Sequence, residues 1–212
     1  MALGGWTVQS PEPPARSILL NPDAAEFKEH APDRCRIKLQ TSKGDIVIEV
    51  TREWSPLGAD RFVDLVRAGY YDDTRFFRVV KDRWAQFGIN GDPAIAKAWR
   101  NQMFPDDPFK ISNTKGTIAF AYGAPNGRTT QVFFNLVDNS KTHDVGPNGP
   151  FTPFGRVVEG LDVMDSLNSE YGDAAVGGIR AGHQDAFFNG GNLYVDGAFP
   201  KMDRIRTATI ER

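Results

Sequence analysis

The chain has 212 residues, of which 40% are apolar and 25% charged, with a formal net charge of −2. That length and balance describe one folded domain with a sizeable core, and the near-neutral charge gives no electrostatic case for nucleic acid or an anionic membrane. No apolar run approaches the ~18 residues that a membrane-spanning helix requires, and the lone cysteine, Cys35, has no intrachain partner for a disulfide.

The start, MALGGWTVQSPEPPARS, lacks the basic opening and apolar stretch of a secretory signal, and compartment stays open between cytoplasm and periplasm. Residues 1–33 carry five prolines and no sustained periodicity, so they read as an irregular extension that wraps or trails, with a short helical turn near Asp23 to His30. The folded domain is expected over 34–212. Arg36 to Gln40 and Asp45 to Val50 alternate polar and apolar residues around Thr41-Ser42-Lys43-Gly44, which predicts a hairpin with one buried face. Ser55 as N-cap, Pro56 at the first position and Gly69 past the end bracket a helix. Its stripe of Leu57, Phe62, Leu65 and Val66 should plug one end of a sheet or barrel.

Tyr70 to Asp73 turn the chain into RFFRVVKDRWAQFGINGDP, residues 75–93. Here an apolar strand (Phe76, Phe77, Val79, Val80) is broken by charge and followed by Trp84, Gln86 and a glycine-rich exit. From about 94 to 115 the pattern dissolves into a surface insertion with a short helical opening. Strands resume at Thr117 to Tyr122, Gln131 to Val137 and Phe154 to Val158, with a polar loop from Asp138 to Pro150. A second helix, Gly160 to Leu167, should turn Leu161, Met164 and Leu167 inward. Seven glycines mark 168–199 as a second, loop-like insertion, and Arg204 to Ile210 closes the chain as a strand. Many short strands, glycine and proline turns and two good helices predict a mainly β fold, an antiparallel sheet closed into a barrel.

Three motifs in order carry a family resemblance: Phe76-Phe77-Arg78-Val79-Val80 with Gln86 and Gly91-Asp92-Pro93, then Thr130 to Phe134, then Phe154 to Gly160. Together they resemble the cyclophilin-type peptidyl-prolyl cis-trans isomerases over roughly Cys35 to Leu167. The resemblance implies a closed eight-stranded antiparallel β-barrel capped by two α-helices, with a substrate groove on the outer surface. It implies proline-containing polypeptide substrates; no cofactor, no metal, no nucleic acid or membrane partner, and a monomer are expected as well.

The prolyl bond turns over a barrier of ~18–20 kcal/mol, unaided in tens to hundreds of seconds. Speeding it requires no nucleophile. A fixed guanidinium can donate to the prolyl nitrogen as it pyramidalises, while an apolar cup holds the ring. By resemblance, Arg78 takes the catalytic arginine's role, Gln86 supports it, and Phe133 floors the proline pocket. Gln131 and Ala121 line the groove. Taken alone, Arg78 also fits a surface ion pair with Asp82 and Phe133 fits plain core; the surrounding motif favours catalysis for Arg78.

Several positions depart from the family. Arg83-Trp84 replaces a Phe-Met pair, Tyr122 stands for a groove asparagine, and Phe151 falls at the pocket histidine. His143 lies at or beside a leucine position, and Thr142 lies near a drug-contacting tryptophan. These residues are expected to build an aromatic cup of different shape, with altered substrate preference, reduced activity and weak cyclosporin binding. The alternative reading is a non-catalytic module that holds proline segments. The scattered histidines (His30, His143, His183) argue against a metal hydrolase, and Cys35 has no local histidine to activate it.

Overall fold

The computed structural model describes residues 16–172, 179 and 184–211. The prolines at 11, 13 and 14, the glycines at 177, 178 and 182, and His183 lie outside them. Eight strands form one antiparallel sheet: β1 (Arg34–Thr41), β2 (Asp45–Thr51), β3 (Arg78–Val80), β4 (Trp84–Phe87), β5 (Thr117–Phe120), β6 (Val132–Asn135), β7 (Pro153–Glu159) and β8 (Ile205–Ile210). Their order across the sheet is β3-β4-β6-β5-β7-β2-β1-β8.

The sheet curls into an open half-barrel, which corrects the closed barrel expected from the sequence. Its edge strands β3 and β8 share no ladder. The chain beside them meets in an isolated bridge, Arg75 with Arg204. Backbone bonds from Phe76 N to Asp203 O and from Ile205 N to Thr74 O, both 2.9 Å, flank it. A ladder requires a run of extended residues. β3 supplies only three, and Asp73 ahead of it is left-handed at φ 52°.

The helices are α1 (Arg16–Leu19), α2 (Pro56–Arg67), α3 (Pro93–Trp99), α4 (Ser140–His143), α5 (Leu161–Asp165) and α6 (Asp185–Ala198). α2 closes one end of the curl with Ala59, Phe62, Val63 and Val66 buried, a run at i, i+3, i+4 and i+7. Leu57, expected on this stripe, is exposed. It stands five positions before Phe62, which at 3.6 residues per turn sets it well round the helix. Leu161 of α5 is exposed as well, although Met164 and Leu167 are buried as expected.

Ser55 makes no side-chain cap to its own helix. The carboxylate of Asp107 takes that place, accepting from Leu57 N at 3.0 Å and Gly58 N at 2.9 Å. Segment 94–115 is therefore more than a surface excursion. Trp99 is fully buried in the main core, Phe104 is buried there too, and Asn113 is fully buried beside it as a polar residue. The described part of the N-terminal extension wraps rather than trails: Leu19 and Ala31 join the main core, and Trp99 Nε1 donates to Leu19 O at 2.8 Å. Ala25–Phe27 forms a 3-10 turn where a helical turn was expected.

The largest difference lies in segment 168–199, expected to be loop, which contains the fourteen-residue helix α6. Its glycines hide it from a propensity reading. Gly191, at φ 57° and ψ −151°, kinks it. The buried side of α6 packs a second apolar cluster of Phe77, Ile89, Ala96, Phe187, Phe188, Val195 and Phe199. Adjacent residues Phe76 and Phe77 thus serve two separate cores, one within the curl and one outside it.

Candidate active site

Strand register assembles the site. Arg78 lies opposite Gln86 across β3 and β4, Gln86 opposite Phe133 across β4 and β6, and Phe133 opposite Ala119 across β6 and β5. Cross-strand partners point to the same face. The residues between them, Val79, Ala85 and Phe134, consequently face the main core. Phe133 faces out and Phe134 in, as alternation along a strand requires.

On that outer face lies a cavity of about 470 Å³, whose wall includes Arg78, Gln86, Trp84, Ala121, Tyr122, Gln131, Phe133, His143 and Phe151. Nine of the ten site residues expected from the sequence meet there. The tenth, Arg83, does not line it. Its guanidinium carbon lies 4.7 Å from the centroid of Trp84, and its backbone carbonyl accepts from Leu136 N and Asn139 Nδ2. It follows Asp82, a left-handed residue in the β3–β4 turn (φ 59°). Arg83 thus supports the Trp84 wall from outside the cavity.

Arg78 Nη1 donates to Gln86 Oε1 at 3.1 Å, and its guanidinium carbon lies 4.8 Å from the Trp84 centroid. Bond and stacking hold a long side chain in one pose, at a site where a freely rotating arginine would lose rotamer entropy on acting. The amide of Gln86 has a second partner: its Nε2 donates to Gln131 Oε1 at 2.8 Å.

The aromatic cup is continuous. Phe133 meets Phe151 edge-on at 5.1 Å and His143 at 5.3 Å, and His143 meets Phe151 at 5.1 Å and Trp84 at 5.5 Å. Tyr122 is tilted against Phe151 with ring centroids 4.8 Å apart, and its hydroxyl lies 2.7 Å from the Pro150 carbonyl oxygen, tying down the 144–150 loop. Edge-to-face contacts of this kind are favourable beyond simple burial. Trp84 Nε1 is buried and meets no hydrogen-bond partner among the described residues.

Polar groups beneath the cup fix it. His143 Nδ1 lies 3.1 Å from Asn135 Oδ1, an oxygen that also accepts from Asn139 Nδ2. Asn135 Nδ2 donates to Asn113 Oδ1 and Thr117 Oγ1. Asn113 Nδ2 in turn donates to the Phe151 carbonyl at 2.9 Å. Burial lowers the imidazole to about 4, with the charge of Arg83 adding to the effect. His143 is therefore neutral near pH 7 and serves the cup as an aromatic wall.

The sequence reading missed one side of the cavity altogether. Arg100, Asn101 and Met103, just past the end of α3, and Gln184 and Phe188, at the start of α6 and within it, add to its wall, as do Gly123, Gly127 and Thr129. Arg100 lies over the Phe188 ring at 4.4 Å and pairs with Asp185. No local motif announces these residues: Gln184 and Phe188 come with a helix read as loop, and Arg100, Asn101 and Met103 follow α3 in a segment read as a surface insertion. His30 and Cys35 lie elsewhere. His30 sits against Asp60, and Cys35 is a half-buried β1 residue whose thiol is pushed up by burial.

The profile of the family described as cyclophilin type peptidyl-prolyl cis-trans isomerase/CLD matches residues 36–180. The chain belongs to the cyclophilin-type isomerases. A peptidyl-prolyl cis-trans isomerase of Streptomyces antibioticus is 33% identical over 153 residues, covering 70% of this chain and 89% of the relative. Peptidyl-prolyl cis-trans isomerase B of Escherichia coli is 32% identical, covering 62% and 82%. Among solved structures, a cyclophilin type isomerase of Cryptosporidium parvum aligns with a TM-score of 0.60 at 18% identity, covering 84% of this chain and 98% of its own. Another structure of that protein, determined in the presence of the dipeptide Ala-Pro, aligns at 0.58. This cyclophilin is thus an isomerase by family. Gln184 and all of α6 lie beyond the matched residues.

Proposed function

We propose that the cavity catalyses cis-trans isomerisation of Xaa-Pro bonds in peptides and folding proteins, by arginine-assisted, non-covalent twisting of the prolyl amide. The observation that carries this reading is the pose of Arg78, fixed by Gln86 at 3.1 Å on the wall of a cavity that also holds Phe133. A proline ring seated in the cup of Phe133, Phe151 and His143 would bring its nitrogen within reach of a guanidinium that is already oriented. A donor positioned before the reaction favours the twisted state, in which the nitrogen gains a lone pair, over the planar amide, in which it has none to share. Nothing in this scheme needs a metal or a covalent intermediate.

Substrates on this reading are proline-containing polypeptides, in keeping with the Cryptosporidium parvum relative studied with Ala-Pro. Tyr122 and Phe151 make the cup more aromatic than the family pattern, so its preference among Xaa residues should be its own. Thr142, beside the cup in α4, offers no indole to cyclosporin, and weak binding follows. The test is magnetisation exchange between cis and trans Xaa-Pro peptides, with wild type against Arg78→Ala. Removing one preorganised donor should lower kcat about 10²-fold at an unchanged melting temperature. Equal exchange by both proteins would sink the mechanism.

A further inference from the structure

Among the described residues of the added segment, Gln184 is the first to reach the cavity, and it does so through Gln131. Gln131 Nε2 donates to Gln184 Oε1 at 2.9 Å, and Gln184 Nε2 donates back to Gln131 Oε1 at 3.1 Å. The two amides form a closed pair. Gln131 Oε1 also accepts from Gln86 Nε2, and Gln86 Oε1 accepts from Arg78. Three amides therefore run in series from the guanidinium to the N-terminus of α6.

Arg78 can only donate, and this sets the direction of the series: Gln86 must turn its oxygen to Arg78, which leaves its NH2 facing Gln131. Direction alone does not hold Gln131 in place. A glutamine side chain has three rotatable bonds and forfeits much rotamer freedom when fixed. Within the series, Gln131 is held by a single bond from Gln86 unless Gln184 closes the pair. Gln184 itself is anchored by the helix behind it, since Phe187 and Phe188 are buried in the second core.

We propose that Gln184 is a positioning residue for this isomerase, clamping Gln131 so that Gln86, and through it Arg78, keeps its working orientation. The proposal rests on the isomerase reading of the cavity. It adds that the segment beyond the family match completes the machinery at its polar end.

The test uses Gln184→Leu and Gln184→Glu in the full chain. Leucine removes donor and acceptor together. Loss of that clamp should lower kcat about three- to tenfold, the range spanned by one net hydrogen bond, with KM little changed. The side-chain NH2 resonances of Gln86 and Gln131 should move at the same time. Glutamate gives a sharper readout. An ionised carboxylate can accept from Gln131 but cannot donate back, whereas a protonated carboxyl offers one O–H and one C=O, as the amide pair requires. The Gln184→Glu enzyme should therefore be impaired at pH 7 and recover toward wild type as pH falls through the ordinary glutamate range near ~4.3. Wild type and Gln184→Leu, which share all other titrating groups, should show no such recovery.

Wild-type rates in Gln184→Leu with unmoved Gln86 resonances would overturn the proposal, as would a flat pH profile in Gln184→Glu. A wild type without isomerase activity would sink the functional reading instead. The amide resonances would then still decide whether Gln184 holds the series.

Discussion

Ser55 and Asp107, 52 residues apart in the chain, are joined by a 2.5 Å hydrogen bond at the entrance to α2. The same carboxylate caps the helix through Leu57 N and Gly58 N and pairs with the buried Arg128 at 3.0 Å. Removing it would leave a guanidinium that is 1% exposed facing one fewer anion. Asp107→Ala should cost about 3–5 kcal/mol, the penalty for breaking a buried pair, against only ~1 kcal/mol if the cap were its whole role. Urea denaturation separates the two cases. A loss near the lower figure would mean that Asp106, which lies 3.2 Å from Arg128 Nε, carries the pairing.

The depressed imidazole of His143 predicts a pH dependence. Its folded value is about 4 against an ordinary 6.5. Between those values the unfolded chain binds the proton and the folded chain does not, so stability from this group is lost as pH falls from 6.5 toward 4. From pH 7.5 to 4.5 the loss is about 2–3 kcal/mol. Asp64 opposes it. Burial raises that carboxyl to about 6, the folded state holds its proton first, and acidification over the same window stabilises. The wild-type profile is a partial cancellation. His143→Gln should therefore gain roughly 2–3 kcal/mol relative to wild type on going from pH 7.5 to 4.5. Parallel stability curves for the two proteins would contradict the neutral, buried histidine.

The cup should hold substrate through apolar burial. Phe151 contacts three of the cup's rings: Phe133, His143 and Tyr122. Phe151→Ala should weaken binding of a proline peptide about ten- to a hundredfold, matching the ~1.5–3 kcal/mol of one buried aromatic side chain. Titration calorimetry reads the effect directly. Affinity within twofold of wild type would move the proline elsewhere.

The second core should open on its own. Phe187 is fully buried there, edge-on to Phe77 at 5.9 Å. Phe187→Ala should strip amide-exchange protection from residues 185–198 while leaving β1, β2 and β7 protected, because separate clusters can unfold separately. Uniform loss of protection across the sheet would show a single cooperative unit instead.

Much of the site was legible because sheet register is a local property. The spacing from Arg78 to Gln86 spans a tight turn, and the alternation of Phe133 and Phe134 assigns one ring to the cavity and one to the core. The hairpin of β1 and β2 and the buried stripe of α2 were readable for the same reason. What escaped was decided over long range. Asp107 caps a helix from 49 residues away or more, a distance at which no capping pattern can be seen. Gln184 and Phe188 belong to a helix whose glycines argue against helix at every local scale, and it exists because Phe77 and Ile89 give it something to cover. The closed barrel was overdrawn because strand counting says nothing of whether the last edge finds the first. Arg83 was placed in the cavity because Arg83-Trp84 stands where the family has a Phe-Met pair, and the left-handed turn at Asp82 puts it outside.

Gly191 sits at its kink with no room above it: a Cβ there would lie 2.2 Å from the Gly91 carbonyl oxygen. The reverse holds too, since a Cβ on Gly91 would lie 2.0 Å from Asn192 Nδ2. Asn192 N meanwhile donates to that same carbonyl at 3.0 Å. Gly191 is required by the backbone of residue 91 and Gly91 by the side chain of Asn192, so both glycines serve one contact and should be inherited together in chains that make it. Among related chains, glycine at both positions, a hundred residues apart by their numbers here, would mark those that carry the added helix, and with it the extra wall of the cavity.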